Sequence, residues 1–432
     1  MKQRQAIGLD FGTTNSAIAV AQRGKGAILT GFQDGDHVTT SFRSILYFPE
    51  AERGTPRTKQ TTAIAGPAAI NEYLRADSKG RLILSIKSYL ASHLFTSTSI
   101  YGRSYGLEDL VAIIIRNLRD ACVGQFNLPG TKAVLGRPVH FAGSEGADGE
   151  ALALQRLRKA AELAGFEEVI FELEPIAAAY QYESQLDHDE LVLVGDFGGG
   201  TSDFTLMQLG PFRKQSATPI GVLGTEGVAI AGDVFDSTII KHVVAPQLGM
   251  GSHYVSLGKE FNVPAWIYTQ LSSWHQMSFL RSGNSMSVLK DVTVQALEPE
   301  KLESLIYIII HNLGYDLYRS VERAKLDLTS RDSTQFVFDR GPVDIEQSVQ
   351  RGQFEDWIKP YIQKIADAVT RLLNSCSLKA SDVDSVFLTG GSSLVPAVRR
   401  LFAEKFGEKR LRSGDELTTV AKGLALVALE KL

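Results

Sequence analysis

The sequence lacks several features that would place the protein in a membrane or outside the cell. It has only two cysteines, Cys122 and Cys376, far apart in the chain. They form neither a disulfide framework nor a metal-ligand pattern, and they suit a reducing compartment. The most apolar run, residues 305–310, is far too short to cross a bilayer as a helix. Residues 1–5 have no apolar core and no cleavage site of a secretory signal. These absences predict a cytoplasmic protein with no membrane partner.

A strong charge bias is also absent. The formal net charge is −4, which gives no reason to expect nucleic acid or an anionic membrane as the main partner. The eight histidines show no metal-ligand spacing. Hydrophobic residues make up 44% and charged residues 22% of the 432 residues. This is an ordinary composition for a globular protein, and the length allows roughly two to four compact units.

One short pattern occurs twice in the chain. Residues 8–16 read Gly-Leu-Asp-Phe-Gly-Thr-Thr-Asn-Ser, and residues 195–203 read Gly-Asp-Phe-Gly-Gly-Gly-Thr-Ser-Asp. The two Asp-Phe-Gly turns lie too far apart to be the period of a solenoid. The pattern instead predicts a chain that is built from two similar domains.

Each of these turns lies between apolar stretches of strand length. The stretches are residues 6–9 and 17–20 around the first turn, and 191–194 and 204–207 around the second. A glycine-rich turn between two strands is a hairpin. The P-loop and the Rossmann fingerprint instead require a helix directly after the glycines. The pattern therefore argues against both of these nucleotide-binding folds.

The segments between the two turns predict further strands and helices. Residues 132–136 and 169–173 read as strands, and residues 151–164 form an amphipathic helix that Gly165 closes. Pro175 suits a first helical turn, which holds Glu174 at a strand-to-helix corner.

After the second turn, residues 237–330 read as largely helical. Near the end, residues 385–389 form a strand, which is followed by a turn at Gly390 and Gly391. We expect Ser392 or Ser393 to cap the next helix, which extends to Phe406.

A nucleoside triphosphate requires three kinds of group from a protein. Backbone N–H groups must cradle its phosphates, carboxylates must hold Mg2+, usually through its waters, and a cation must serve the transition state. The glycine-rich segments 12–14 and 198–201 are candidates for the cradle, and Asp10 and Asp196 occupy matching corners for the metal. Either turn alone is ordinary, but the pair with matched strands, together with residues 388–392, is specific.

Six motifs, spread over nearly the whole chain, resemble those of DnaK-type heat-shock chaperones. Residues 8–16 and 193–203 resemble the two phosphate motifs, and residues 387–396 resemble the adenosine motif. Residues 83–90 resemble the segment that carries the catalytic lysine, and residues 172–179 resemble the Glu-Pro-x-Ala-Ala-Ala element. Residues 321–329 resemble the Glu-Arg-Ala-Lys nucleotide contact. Within the family the chain looks closest to the short YegD-like branch.

The resemblance implies an α/β, actin-like ATPase fold of two similar, ribonuclease-H-like lobes with the nucleotide in the cleft between them. Lobe I would span residues 1–185 and lobe II residues 186–432. Lobe II would carry a helical and mixed insertion at about 237–330, and the C-terminal helix would return to the cleft.

The resemblance also implies roles for individual residues. Lys87 would lie near the γ-phosphate as the catalytic lysine. Asp10, Glu174 and Asp196 would organise Mg2+ and the attacking water, and Asp203 matches a position linked to a monovalent cation such as K+. The other implied contacts to ATP or ADP are Gly12, Thr13, Thr14, Gly198, Gly199, Gly200 and Thr201 at the phosphates, Gly232 and Asp233 beside the nucleotide, Glu322 and Lys325 at the ribose, Thr329 at the adenine, and Gly390, Gly391 and Ser392 at the adenosine.

Simpler interpretations of single residues stay open. Lys87 lies in an otherwise apolar stretch, where a lysine can extend from a core helix to solvent. Glu174 is also explained as a first-turn carboxylate that the helix dipole favours. Glu322 and Lys325 have the spacing of an ordinary ion pair on a helix surface.

The sequence departs from the family at two places. Leu326 occupies a position at which these chaperones usually have an arginine that stacks on adenine, so base recognition should be weaker. No leucine-rich linker or β-rich peptide-binding domain follows the predicted helix at 419–432. The sequence therefore predicts a stand-alone nucleotide switch without a peptide clamp, or a fragment of a longer protein.

These observations predict a slow, Mg2+-dependent ATPase that is similar to a molecular chaperone and acts on an unknown protein partner. One alternative is a small-molecule kinase of the same superfamily, although no sugar-kinase signature is present. Another is a non-catalytic ATP-sensing scaffold or a filament former, since the same cleft would serve all of these functions.

Overall fold

A computed structural model describes residues 5–50, 62–76, 79–128, 130–144, 146–183, 186–211, 221–272, 277–413 and 419–432. The chain divides into two compact units. The first unit comprises residues 1–231 and 363–432, and the second comprises residues 232–362. The long helix Arg351–Ser375 contributes residues to both units.

The first unit contains a sheet around the strand Gln5–Asp10, here called the first sheet. Its strands follow the spatial order Glu168–Leu173, Lys132–Arg137, Gln5–Asp10, Asn15–Gln22 and Gly26–Leu29, with Phe42–Arg43 pairing beside Asn15–Gln22. The first three strands are mutually parallel, and the next two are antiparallel to their neighbours. The predicted hairpin around residues 10–16 is confirmed, and so are the strands predicted at 132–136 and 169–173.

A second sheet of the same unit repeats this arrangement around the strand Glu190–Phe197. Its order is Leu411–Ser413, Ser385–Thr389, Glu190–Phe197, Ser202–Leu209 and Gly221–Val228. Again the first three strands are parallel and the last two are antiparallel to their neighbours. The second predicted hairpin is therefore confirmed, and the two sheets share one topology. Mixed α/β content with these sheets fits an actin-like fold.

The C-terminal helix Thr419–Lys431 packs on the first sheet and on the helix Glu174–Glu183. Two glycines permit this close approach. A Cβ atom on Gly8 would lie 2.0 Å from the backbone nitrogen of Ala425, and one on Gly423 would lie 1.7 Å from the carbonyl oxygen of Ala177. Any side chain at either position would force the helix away from its neighbours.

The remaining elements of the first unit surround the two sheets. The α-helices are Pro67–Arg75, Leu107–Phe126, Gly146–Leu163 and Pro396–Phe406. The 3-10 helices are Ile86–Tyr89, Ala380–Asp382, Gly391–Leu394 and Glu408–Arg410. The short strands are Phe32–Asp34, His37–Thr39, Leu46–Phe48, Ile64–Ala65, Arg81–Ile83, Ser97–Ile100 and Arg103–Gly106.

The predicted serine cap before the helix Pro396–Phe406 is wrong. The helix begins at Pro396, whose fixed φ suits the first helical position, and no side chain caps it. Ser392 and Ser393 belong to a separate 3-10 turn. Their hydroxyls donate to the carbonyl oxygens of Gly198 and Gly390 instead.

The second unit is largely helical, as predicted, but it also contains strands. Its helices are Gly232–Ile239, the π-helix Ile240–Val244, the 3-10 helix Ala245–Leu248, Ala265–Ser272, Met277–Leu280, Gly283–Val294, Pro299–Ile310 and Gly314–Ser330. Two antiparallel hairpins pair His253–Ser256 with Lys259–Asn262 and Ser333–Arg340 with Val343–Gln350. The first hairpin lies within residues 237–330, a segment that the sequence predicts to be largely, not wholly, helical. In the part of the chain that the structure describes, no helix is long and apolar enough to span a membrane.

Candidate active site

The two hairpins deliver aspartates at the ends of their first strands. Asp10 is the last residue of Gln5–Asp10 and lies opposite Ala17. Asp196 lies near the end of Glu190–Phe197, directly opposite Asp203. Side chains directly opposite in an antiparallel pair share one face of the sheet, so two carboxylates face each other on the second hairpin.

Lys87 and Glu174 form a buried ion pair. Lys87 lies on the 3-10 helix Ile86–Tyr89, and Glu174 begins the helix Glu174–Glu183 directly after the strand Glu168–Leu173. The Lys87 ammonium donates to Glu174 Oε1 at 2.7 Å, and each side chain is only 9% exposed. The simpler interpretation of Lys87 is wrong, because its ammonium does not reach solvent, whereas Glu174 is a first-turn carboxylate as that interpretation had it and has Lys87 as a specific partner as well.

Electrostatics couple these residues into one group, here called the Lys87 cluster: Asp10, Lys87, Glu174, Asp196 and Asp203. Burial and the nearby Glu174 raise the pKa of Asp196 to about 8 and that of Asp203 to about 7. The pKa of Asp10 lies well above its usual value for the same two reasons. Burial alone lowers the pKa of Lys87, but Glu174, Asp10 and Asp196 together raise it.

The Lys87 cluster therefore carries more carboxylates than its single lysine can balance. Asp203 Oδ2 accepts from the Thr201 hydroxyl at 3.0 Å, whereas Asp203 Oδ1 is buried without a hydrogen bond of normal geometry among the described residues. An added cation would relieve both the charge excess and the unpaired oxygen. Over the described ranges, no three acidic, histidine or cysteine side chains are arranged to hold a metal directly. The donors fit a hydrated Mg2+, which is commonly held through its own waters.

The turn of the first hairpin is tightly braced. The Gly12 N–H donates to Ser16 Oγ at 3.2 Å, and the Ser44 hydroxyl donates to the Gly12 carbonyl at 2.7 Å. A Cβ atom on Gly12 would lie 2.0 Å from the carbonyl oxygen of Asn15. Thr13 and Thr14 lie in this turn, and the Thr14 carbonyl accepts from the Ser44 N–H at 2.9 Å.

The turn of the second hairpin is braced from a different segment. The Gly198 carbonyl accepts from the Ser392 hydroxyl at 3.2 Å and the Gly198 N–H donates to the Thr201 carbonyl at 2.9 Å. Gly390 has φ 85°, and a Cβ atom there would lie 2.1 Å from the Phe197 carbonyl oxygen. The predicted residues at 198–201 and 390–392 are thus in direct contact, with Gly199 and Gly200 at the tip of the turn and Gly391 beginning the adjoining 3-10 helix.

A second group of predicted residues lies in the second unit and is here called the Lys325 cluster: Asp233, Asp236, Tyr318, Glu322 and Lys325. Lys325 Nζ lies 2.7 Å from Asp236 Oδ2, and the Tyr318 hydroxyl lies 3.4 Å from the same oxygen. Asp236 is only 2% exposed, and burial raises its pKa despite Lys325. Glu322 and Asp233 act electrostatically on the same lysine, which is therefore no ordinary surface cation.

Asp236 belongs to this cluster but was not predicted from the sequence. Gly232 and Asp233 begin the helix Gly232–Ile239, so Asp236 follows Asp233 by three residues and lies on the same helix face. This three-residue spacing was the signal in the sequence that could have identified Asp236. Burial and the neighbouring Asp236 raise the pKa of Asp233 to about 6.

The predicted adenine contact, Thr329, lies near the end of the helix Gly314–Ser330. Its hydroxyl donates to the Leu326 carbonyl at 2.7 Å, and the Leu326 side chain is exposed.

A family model matches most of the chain. Residues 6–248 and 313–429 match the family model described as Hsp70 protein. The matched ranges contain every residue of the Lys87 cluster and of the Lys325 cluster, whereas residues 249–312 lie outside them. Members of that family bind ATP or ADP with Mg2+ and are ATPases. Since the match covers well over half of the chain, the protein belongs to the Hsp70 family.

Proposed function

We propose that this chain binds ATP with Mg2+ and hydrolyses it slowly, as a chaperone-like nucleotide switch. The observation that carries the proposal is the buried Lys87–Glu174 pair, 2.7 Å long, within a cluster that has three further carboxylates. Such a cluster is costly without a ligand, since buried ionised groups are stabilised only by partners. A bound cation would supply a further partner for these carboxylates.

The proposed roles follow from what each group can donate or accept. Lys87 has three N–H donors and engages one with Glu174. The others would stabilise negative charge on the γ-phosphate oxygens, where preorganised donors contribute most to catalysis. Glu174 holds the ammonium in place and would orient the attacking water. Thr13 and Thr14 would donate hydroxyl hydrogens to phosphate oxygens, and Thr201 would do so in place of its present bond to Asp203 Oδ2.

Asp10, Glu174 and Asp196 would hold Mg2+ through its waters, and Asp203 would bind a monovalent cation such as K+. When bound, the divalent ion would neutralise charge on the β- and γ-phosphates. The protein's own contribution is a fixed set of carboxylates in a site largely closed to solvent. The raised pKa values of Asp10, Asp196 and Asp203 mean that these three carboxylates take up protons when no cation is present.

Base and ribose recognition is assigned by resemblance to the family motifs. We propose that Glu322 and Lys325 hold the ribose, that Gly232 and Asp233 approach the nucleotide, and that Thr329 and residues 390–392 contact the adenosine. The two-lobe division, at residues 1–185 and 186–432, is likewise proposed. The shared strand order of the two sheets supports it. Assignment to the YegD-like branch and a cytoplasmic location are part of the same proposal.

Calorimetry with ATP and millimolar Mg2+, followed by phosphate release from ATP alone, tests the proposal. We expect saturable binding and a slow, linear release of phosphate. Binding without release would favour an ATP-sensing scaffold, and release only in the presence of a small alcohol would favour a kinase. No binding at all would refute the proposal.

A further inference from the structure

The segment that carries Lys87 is held in an unusual backbone conformation. Ser85, which precedes the 3-10 helix Ile86–Tyr89, has φ 50° and ψ 33°, in the left-handed region. A residue other than glycine adopts this region only when the surrounding structure enforces it. The position of the Lys87 ammonium therefore depends on contacts that fix the segment from outside.

Arg156 provides such contacts from the helix Gly146–Leu163. Its Nη1 donates to the carbonyl oxygens of Tyr89, Leu90 and Ser92 at 3.2, 3.0 and 2.9 Å, and its Nη2 donates to that of Phe95 at 2.9 Å. The Arg156 side chain is only 9% exposed. All four accepting carbonyls belong to the chain that directly follows Lys87.

These contacts suit the end of a short helix. The last carbonyls of a helix have no intrahelical partner, and a cation there interacts favourably with the helix dipole. One planar guanidinium has enough donors to satisfy several carbonyls at once, which an ammonium cannot do with the same geometry. Arg156 Nε also lies 3.6 Å from Glu108 Oε1, which orients the guanidinium from its other edge.

We propose that Arg156 is a positioning residue for Lys87. It touches neither Lys87 nor any residue of the Lys87 cluster through a described hydrogen bond. It fixes the C-terminal end of the 3-10 helix, so that the ammonium is held at Glu174 Oε1 and does not move with a loose loop. The inference rests on the proposed function, since Lys87 needs a fixed position only if it serves phosphate transfer.

The same helix provides a matched control. Arg158 is exposed and donates to the Val169 carbonyl at 3.0 Å, with its guanidinium 4.9 Å from the Phe171 ring centroid. It therefore also binds a backbone carbonyl through a guanidinium, but at Val169, near the start of a strand that its pairing with Lys132–Arg137 already fixes through to Leu173. Loss of Arg158 should leave ATP turnover unchanged.

The test compares single-turnover ATP hydrolysis in the full chain for Arg156→Ala, Arg156→Lys and Arg158→Ala, with each rate divided by the titrated ATP-binding fraction. We expect Arg156→Ala to lower the rate by roughly tenfold to a hundredfold, the effect of a misplaced catalytic group, with nearly unchanged ATP affinity. Arg156→Lys should lie between the parent and Arg156→Ala. Should Arg156→Ala fail to fold, Arg156→Lys alone carries the comparison with Arg158→Ala.

A double variant separates positioning from general damage to the fold. If Arg156 acts through Lys87, Arg156→Ala should lower turnover much less in a Lys87→Ala background than in the parent. Equal losses in both backgrounds would overturn the proposal, as would losses in both Arg156 variants no larger than that of Arg158→Ala.

Hydrogen exchange of the segment 86–95 gives a readout that is independent of ATPase activity. We expect faster exchange in Arg156→Ala and parent-like exchange in Arg158→Ala. Absence of hydrolysis by the parent would refute the proposed function, whereas the exchange result would still decide whether Arg156 fixes the segment. Parent-like exchange in Arg156→Ala would overturn the inference by itself.

Discussion

The hairpins of the two sheets differ in what lies opposite the aspartate of the first strand. Asp10 lies opposite Ala17, whereas Asp196 lies opposite Asp203. The strand Glu168–Leu173 of the first sheet leads directly into Glu174, whereas Lys87 lies on the 3-10 helix Ile86–Tyr89. The second sheet thus supplies a pair of carboxylates, whereas the first supplies Asp10 and leads into Glu174, the partner of the Lys87 cation.

The bracing of the two turns is nevertheless alike. In each hairpin the carbonyl of a turn glycine, Gly12 or Gly198, accepts from a serine hydroxyl of another segment, Ser44 or Ser392. The two hairpins therefore share the hydrogen bonds that brace their turns and the order of their strands, but they differ in the charges that they carry. Two similar hairpins with different charges suit a ligand whose parts carry different charges. A triphosphate with a bound metal ion is such a ligand, because it combines anionic phosphates with a cation.

We expect the largest effect from removal of the Lys87 ammonium. We expect Lys87→Ala to lower ATP turnover by about a hundredfold or more, the scale of a removed preorganised donor, while ATP still binds. The substitution should also lower the free energy of unfolding, because Lys87 and Glu174 are both buried. Truncating one partner of a buried pair costs roughly 3–5 kcal/mol of stability.

Two further variants make this result interpretable. Lys87→Ala combined with Glu174→Gln removes the unpaired buried charge and should recover stability without recovering turnover. Lys132→Ala removes an exposed lysine that pairs with Glu168 at 2.5 Å and should leave turnover unchanged. Parent-like hydrolysis by Lys87→Ala would show that Lys87 is not the catalytic cation.

Removal of a carboxylate from the second sheet should have a different signature. We expect Asp196→Asn to weaken Mg2+-dependent ATP binding by roughly tenfold to a hundredfold, the usual effect of disturbing groups around a metal, and to lower turnover as well. Titration calorimetry with and without Mg2+ measures this. If Asp196→Asn and Lys87→Ala affected ATP affinity equally, the different roles proposed for the carboxylate and the lysine would be wrong.

The local parts of this arrangement could be predicted from the sequence. Both hairpins are encoded by apolar stretches around glycine turns, and Pro175 marks the corner at Glu174. The hairpin at 253–262 could not be predicted, because neither of its strands contains a buried residue. Such strands show no alternating apolar pattern. Arg156 could not be found, since its four acceptors are backbone carbonyls more than sixty residues away. Because every residue has a backbone carbonyl, such long-range contacts cannot be recognised from residue types.

The raised pKa values of the second sheet's carboxylates predict how stability depends on pH. The folded protein holds protons on Asp196 up to about pH 8 and on Asp203 up to about pH 7, whereas the unfolded chain releases them near 3.8. The folded state therefore binds more protons in this window, and its stability should fall as the pH rises through it. Each group contributes at most about 1.4 kcal/mol per pH unit.

Urea unfolding of the nucleotide-free protein at pH 5 and pH 8 measures this effect. Asp196→Asn removes one of the groups, so its stability relative to the parent should increase toward pH 8. Asp120→Asn, at a half-exposed aspartate, serves as the control and should keep a constant difference. If the stability of Asp196→Asn relative to the parent fell as the pH rose, the predicted direction of the pH dependence would be wrong.

The smallest expected effect concerns the base, which the two hairpins do not recognise in this proposal. Leu326 lies on the helix Gly314–Ser330 and is 61% exposed, so an arginine fits there without disturbing the core. If the adenine lies beside this position, Leu326→Arg should strengthen ATP binding by about 1 kcal/mol, the scale of one cation–π contact. Turnover of the bound nucleotide should stay the same.

The matched control is Leu326→Gln, which is polar and of similar length but cannot make a cation–π contact. It also shows whether any gain comes only from removing an exposed apolar side chain. A gain with ATP that is absent with inorganic triphosphate would locate the effect at the base, because triphosphate retains the phosphates and lacks the adenine. Equal gains with both ligands would mean that the introduced guanidinium acts on phosphate charge by long-range attraction, and an unchanged ATP affinity would place the adenine elsewhere.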